Sequence, residues 1–226
     1  MARDFDGTND DIDLTLATAQ NNLTTMSVGL WIYLDSTANY KRILQKGNAY
    51  PNLDWDLEFN SNWSGLVFQA MNGTGNRGGW SIANPSTGAW LHLLITYNYS
   101  TPSTDPIMYA NGVSQTVTEK NTPGVSLTNA QSNFYLGSDA GVGEYYDGRM
   151  AELAIWNRIL SAGEASILGA DAYSPSFLRN GLVLYMPLIG RASPEPELRY
   201  GSNGTLTETA NIPHPRIIYP SSAQMR

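Results

Sequence analysis

The stretch Pro51-Asn-Leu-Asp-Trp-Asp-Leu-Glu-Phe59 alternates apolar and acidic residues without a break from Leu53 onward. Successive side chains of an extended strand point to opposite faces, so Leu53, Trp55, Leu57 and Phe59 share one face and Asp54, Asp56 and Glu58 the other. The apolar row belongs in a core. The acidic row reads most simply as the polar face of an amphipathic strand.

Short runs of the same kind recur on both sides of this stretch, separated by clusters of Gly, Asn, Asp, Ser and Pro. They predict strands over 11–16, 26–34, 42–45, 65–71, 79–82, 90–97, 107–110, 113–117, 133–137, 150–157 and 182–188, besides 53–59. Asn111-Gly112, between two of these runs, is a strong two-residue hairpin signal. One helix is expected at Ser161-Ala-Gly-Glu-Ala-Ser-Ile-Leu168, where Ser161 and Glu164 have capping-box spacing and Gly169 marks an end. No internal repeat or heptad pattern is present, so the chain reads as all-β, an antiparallel two-sheet sandwich with one short surface helix.

Length and composition narrow the field. A chain of 226 residues suits one domain of this class. With 42% hydrophobic residues, 13 tyrosines and 6 tryptophans it has ample core material. A formal net charge of -7 leaves no basic stripe to neutralise phosphates, which argues against nucleic acid as a partner. There is no cysteine, hence no disulfide framework or thiolate zinc site. His92, in a strand, and His214, between prolines, both read as structural. No apolar run approaches the roughly 20 residues of a membrane span. The start, Met-Ala-Arg-Asp-Phe-Asp-Gly, has no basic-then-apolar leader, so the expectation is synthesis in a cytoplasm without export. After Leu188 the composition changes, with prolines at 194, 196, 213, 215 and 220. The expected organisation is therefore a domain over 1–188 and a proline-rich arm over 189–226, packed on the domain or on a neighbour. In that arm only Arg216-Ile-Ile-Tyr219 reads as a short strand.

Several segments, in order, resemble the laminin-G-like jelly rolls of the concanavalin A-like lectin and glucanase superfamily. They are Phe5-Asp-Gly-Thr-Asn-Asp-Asp-Ile-Asp-Leu14, Met26-Ser-Val-Gly-Leu-Trp-Ile-Tyr-Leu34, Arg42-Ile-Leu-Gln-Lys-Gly47 and Trp90-Leu-His-Leu-Leu-Ile-Thr-Tyr97. Met108-Tyr-Ala-Asn-Gly112, Tyr135-Leu-Gly-Ser138 and Tyr146-Asp-Gly-Arg-Met-Ala-Glu-Leu-Ala-Ile-Trp-Asn-Arg-Ile-Leu160 continue the series. Gly181-Leu-Val-Leu-Tyr-Met-Pro-Leu188 with Gly201-Ser-Asn-Gly-Thr-Leu206 looks like the segment that usually opens such domains, here placed last. The resemblance implies a concanavalin A-like jelly roll. The permuted order and the closing Ile212-Pro-His-Pro-Arg-Ile-Ile-Tyr-Pro220 resemble jelly-roll proteins of tailed-phage and prophage structural regions.

Three functional expectations follow. The first is a non-enzymatic virion protein of a tailed phage, a capsid decoration or fibre subunit whose partners are copies of itself and other virion proteins. The second is a carbohydrate-binding module. A tryptophan or tyrosine face can stack on a sugar ring, and Tyr50, Trp63, Trp80, Tyr99, Tyr145 and Tyr146 lie in loop-like sequence, whereas Trp31, Trp55, Trp90 and Trp156 lie in apolar strand patterns. The third is a glucanase. The superfamily's catalytic motif resembles Glu-x-Asp-x-Glu, which would carry over to Asp54, Asp56 and Glu58, with Glu58 as acid/base. Asp54 in the nucleophile position is a methylene short, which disfavours a retaining geometry of about 5–5.5 Å between carboxyl groups.

No cofactor is required by the first two readings, and calcium is the one candidate. Asp4, Asp6, Asn9, Asp10 and Asp11 gather hard oxygens in a short span, with Asp6, Asn9, Asp10 and Asp11 as the expected ligands. Ala151 stands where the resemblance would place an aspartate, and the alternative is a solvated turn whose Asp and Asn side chains bond their own backbone.

Overall fold

The computed structural model describes residues 2–48, 52–71, 77–123, 129–141, 143–189 and 193–220. In chain order the strands are β1 (Ala2–Asp6), β2 (Asp11–Thr15), β3 (Thr25–Leu34), β4 (Arg42–Gly47), β5 (Leu53–Asn60), β6 (Gly65–Met71) and β7 (Arg77–Ile82). There follow β8 (Trp90–Asn98), β9 (Ile107–Ala110), β10 (Val113–Ser114), β11 (Thr118–Asn121), β12 (Asn133–Leu136) and β13 (Asp147–Trp156). The helix α1 (Ala162–Gly169) precedes β14 (Leu182–Met186), β15 (Thr205–Thr207) and β16 (Ala210–Ile212). Sheet I has the order β10-β9-β8-β3-β13-β1-β16, with β14 also paired to β13. Sheet II has the order β11-β7-β6-β5-β4-β12-β2-β15. Every named strand pair is antiparallel.

The core lies between the sheets and is built from alternate residues. Trp55, Leu57 and Phe59 of β5 point into it, beside Leu66, Phe68 and Ala70 of β6. Aromatic rings form its centre: Trp55 lies 5.5 Å from Phe134, Phe68 5.6 Å from Tyr97 and Trp80 5.1 Å from Tyr97, centroid to centroid. Full burial of a side chain such as Phe68 contributes roughly 1.5–3 kcal/mol. His92 is buried on the other face of sheet I, edge-on to Trp31 at 5.4 Å, and burial pushes its imidazole down to about 3, so it is neutral and structural.

Local signals match local structure. Asn111 and Gly112 both have positive φ (48° and 78°), as a two-residue type I′ hairpin requires, and they join β9 to β10. In α1 both halves of the capping box form: the Ser161 hydroxyl accepts from Glu164 N at 3.3 Å, and the Glu164 carboxylate accepts from Ser161 N at 2.9 Å. Gly169 is inside the helix rather than beyond it. A β-carbon there would sit 2.3 Å from Gly112 N, so glycine lets the helix lie against the hairpin turn.

Arg158 also donates to Glu164, and with the Ser161 contacts this holds the Glu164 carboxyl down to about 2 against burial, which acts the other way. A folded-state value below the usual 4.5 gives stability that is present above about 4.5 and lost as pH falls toward 2. Ser161→Ala is expected to cost about 1 kcal/mol. The stability gap between wild type and Glu164→Gln should close over that acid window, as read from denaturant midpoints at several pH values.

The segment after Leu188 packs on the domain, one of its two expected placements, and does so as strands. β15 pairs with β2 in sheet II and β16 with β1 in sheet I, so it supplies an edge strand to each sheet. Arg216–Tyr219 makes only an isolated bridge, Tyr173 to Ile218. Buried Glu195 accepts from Arg3 Nε at 3.0 Å, and Glu197 accepts from Tyr185 N at 3.0 Å and Arg199 N at 2.8 Å. The packing therefore runs across the expected boundary at 188, because strands that begin the chain are completed by strands that end it.

Candidate functional site

The acidic row of β5 is not a solvated face. Asp54 and Asp56 are 1% exposed and Glu58 2%; Asp56 and Glu58 lie on the side of sheet II away from the core, while Asp54 is apart from them beside Lys46. The neighbouring strand β4 brings cations to them: Arg42 pairs in register with Glu58, and Lys46 with Trp55, the residue after Asp54. The Lys46 ammonium donates to the Asn129 carbonyl at 2.8 Å and lies 3.7 Å from Asp54. Burial pulls it down to about 8, although the Asp54 charge acts to raise it. Asp54 also accepts from Gln131 N at 2.7 Å.

Arg42 is the hub. Its guanidinium contacts Asp56 and Glu144 and lies 3.1 Å from Glu58. Burial pulls it down, but the surrounding carboxylates more than offset this, so it is held above its ordinary value and stays charged. Burial, opposed by Arg42, raises both Asp56 and Glu144 above the usual carboxylate range. Glu58 also accepts from Asn60 Nδ2 and Gln69 Nε2, each at 2.8 Å.

These residues floor a cleft of about 210 Å3. One wall is the turn from β5 to β6, a short 3-10 segment Ser61–Trp63 capped by the Asn60 side chain and closed by Ser64 at φ 62°. Trp63 is half-buried there. A β-carbon at Gly79 would sit 1.8 Å from its ring, so glycine makes its seat, and the Arg77 guanidinium lies 4.7 Å from the ring centroid. Tyr40, whose hydroxyl accepts from Asn62 Nδ2 at 2.7 Å, stands beside this turn, and Glu144, whose carbonyl accepts from Arg42 N at 2.8 Å, also lines the cleft. Three buried polar atoms of the lining, Arg42 Nε, Gln45 Oε1 and Asp56 Oδ1, have no hydrogen-bond partner.

The Concanavalin A-like lectin/glucanases superfamily matches residues 6–166. The chain belongs to that superfamily. Among solved structures, the concanavalin A-like chain is similar to a Bacteroides ovatus protein named for proposed carbohydrate binding (19% identity, TM-score 0.64). The match covers 92% of this chain and 58% of that one. It is also similar to a heptameric SAP-like pentraxin of Limulus polyphemus (15% identity, TM-score 0.53, covering 74% and 81%). A third is the sialidase of Trypanosoma rangeli in complex with the inhibitor DANA (14% identity, TM-score 0.52, covering 75% and 27%). At these identities the likeness is one of fold. No curated protein gives a significant match.

Of the aromatics expected in loops, Trp63 lines the cleft. Tyr145 neighbours it, bridging Arg42 through the backbone, with its hydroxyl donating to Gly141 O at 3.0 Å. Trp80 and Tyr146 are corrections. Both are fully buried, Trp80 because it alternates inward on β7 with its indole donating to Asp105 at 2.7 Å, Tyr146 because it packs on Phe5 and donates to Tyr33 O at 3.0 Å. Neither ring can meet a sugar. Tyr99 lies away from the cleft, beside Leu23 and Asn129, and Tyr50 is outside the described residues. Trp55 and Trp156 are buried as expected, while Trp31 and Trp90 pack with Ala2 and Ala151 in a separate small cluster.

The residues expected to hold calcium are dispersed into local roles. Asp6 accepts from Thr8 N at 2.8 Å, Asp10 from Asp6 N at 2.9 Å and Asp11 from the Ser138 hydroxyl at 3.1 Å, while Asn9 donates to Glu208 at 2.8 Å. Asp4 faces Arg149 at 3.2 Å. Among the described residues no three His, Asp or Glu side chains are grouped as metal ligands. The residues missed from sequence are Arg42, Gln45, Gln69 and Glu144. Only Arg42 carries a signal, a charge directly before the apolar pair Ile43-Leu44.

Proposed function

We propose that the chain is a carbohydrate-binding module and that its site is the cleft beside Trp63. The observation that carries this is the set of three unpartnered buried polar atoms, Arg42 Nε, Gln45 Oε1 and Asp56 Oδ1, gathered in one lining next to a half-buried indole. A buried donor or acceptor without a partner costs about 1–3 kcal/mol, so the cleft is built for a ligand that supplies both. Sugar hydroxyls both donate and accept, and a sugar ring has the apolar face that an indole takes up. The volume is below the roughly 300–1,000 Å3 of drug-sized sites, which suits a single sugar residue or the end of a chain. The Bacteroides ovatus likeness supports the same reading.

The reading is non-enzymatic. Asp54, Asp56 and Glu58 are each committed to buried cations and amides, and Asp54 faces Lys46, away from the Arg42 group. A virion subunit, the other reading of the sequence, would need a surface for neighbours, and the segment expected to provide it is taken up by the domain's own sheets.

A glycan array probed with wild type and Trp63→Ala tests the proposal. Wild type is expected to retain a discrete set of glycans, and the variant to bind them about tenfold more weakly or worse, as for removal of a central aromatic contact. An array on which wild type retains nothing would end the proposal.

A further inference from the structure

A second cavity, of about 690 Å3, lies on the helix-bearing side of sheet I, away from the cleft on sheet II. Buried Leu182, Tyr185 and Pro187 form its base. At its mouth stand Ile189, Leu198 and Tyr219, three of the large apolar side chains that this chain leaves exposed. Scattered exposed apolar residues are ordinary, but their convergence on one cavity of ligand size marks a binding site.

The charge of the lining names the ligand. The chain carries a net charge of -7, yet the charged residues lining this cavity are Arg179 and Arg199, with His214 beside them. Arg179 Nε donates to Ser176 O at 3.2 Å and Arg199 Nε to Leu182 O at 3.1 Å, which anchors each guanidinium by its inner nitrogen. Neither meets a carboxylate among the described residues, whereas Arg3, Arg42, Arg149 and Arg158 all do. Two guanidiniums over an apolar hollow match a planar anionic head on an apolar body. The acid beneath the cavity, Glu152, accepts from the hydroxyls of Tyr185 at 2.8 Å and Tyr219 at 2.7 Å and lies 3.2 Å from His214 Nε2, and among the described residues it pairs with neither arginine.

We propose that this cavity binds a small amphiphilic anion, an apolar body carrying a carboxylate or sulfonate head. The test uses two dyes with the same apolar rings, 1-anilinonaphthalene-8-sulfonate and the uncharged N-phenyl-1-naphthylamine, titrated into folded protein. Saturable binding of the sulfonate is expected, about tenfold or more tighter than the uncharged dye, and Arg179→Gln with Arg199→Gln should remove that difference at an unchanged melting temperature. Leu198→Glu, at an exposed position, adds a carboxylate to the mouth and should weaken the sulfonate by a similar factor. Absence of saturable sulfonate binding, or binding that is as tight in these variants as in wild type, overturns the proposal.

Discussion

Replacing Arg42 with methionine is expected to destabilise the protein by about 3–5 kcal/mol, the usual cost of removing one partner from a buried ion pair. The methionine fills similar space, so the loss is electrostatic. Asp56, Glu58 and Glu144 would face one another with their shared cation gone. The pH dependence gives the mechanism. Burial already raises Asp56 and Glu144, and a carboxylate whose folded value is raised binds its proton more tightly when folded, so it costs stability as pH rises above its ordinary value. Without Arg42 that cost grows. The deficit of the variant should therefore be large near neutral pH and shrink toward pH 4, and adding Asp56→Asn should recover part of it. Denaturant midpoints at the two pH values measure this. A deficit below about 1 kcal/mol, typical of an exposed pair, would show that the cluster is solvated.

Removing the chain after Leu188 is expected to abolish cooperative folding. The truncation takes away β15 and β16, one edge strand from each sheet, and the buried Glu195 that pairs with Arg3. It also removes the Tyr219 hydroxyl and His214 from buried Glu152, leaving the Tyr185 hydroxyl on that carboxylate. Loss of one partner from a buried ion pair such as Arg3–Glu195 costs about 3–5 kcal/mol, against a total stability of about 5–15 kcal/mol for ordinary domains. Thermal unfolding followed by circular dichroism should show no sharp transition. A truncated chain that melts cooperatively near the wild-type temperature would show that the domain does not need these strands.

What was legible in the sequence was what is decided locally. Alternation in 55–59, the Asn111-Gly112 turn and the Ser161–Glu164 box each involve residues within a few positions and take the expected form, whereas a register shift opposite 53–55 puts Leu53 in the cleft lining rather than in the core. The short edge strands were not legible, because pairing decides them. In β1 the polar sequence Ala-Arg-Asp-Phe-Asp hides an arginine that is buried only because Glu195, 192 positions away, meets it. The acidic row reads as the polar face of an amphipathic strand for the same reason. Its polarity is offset by Arg42 and Lys46 on β4 and covered by segments around Glu144 and Asn129, none of which the row itself announces. Trp80 reads as a loop residue because Gly78-Gly79 precedes it. Those glycines instead make room for the rings of Trp80 and Trp63 on opposite faces of β7. Trp63 could be found because the polar turn around it is local.

The most direct test is a calorimetric titration of one array-positive glycan into wild type and Trp63→Ala, with Arg179→Gln, Arg199→Gln as a control for the other face. The cleft reading predicts one site per chain, weakened about tenfold or more by loss of the indole and unchanged in the control. Equal affinity in wild type and Trp63→Ala would contradict it, and would place sugar recognition elsewhere on the sandwich.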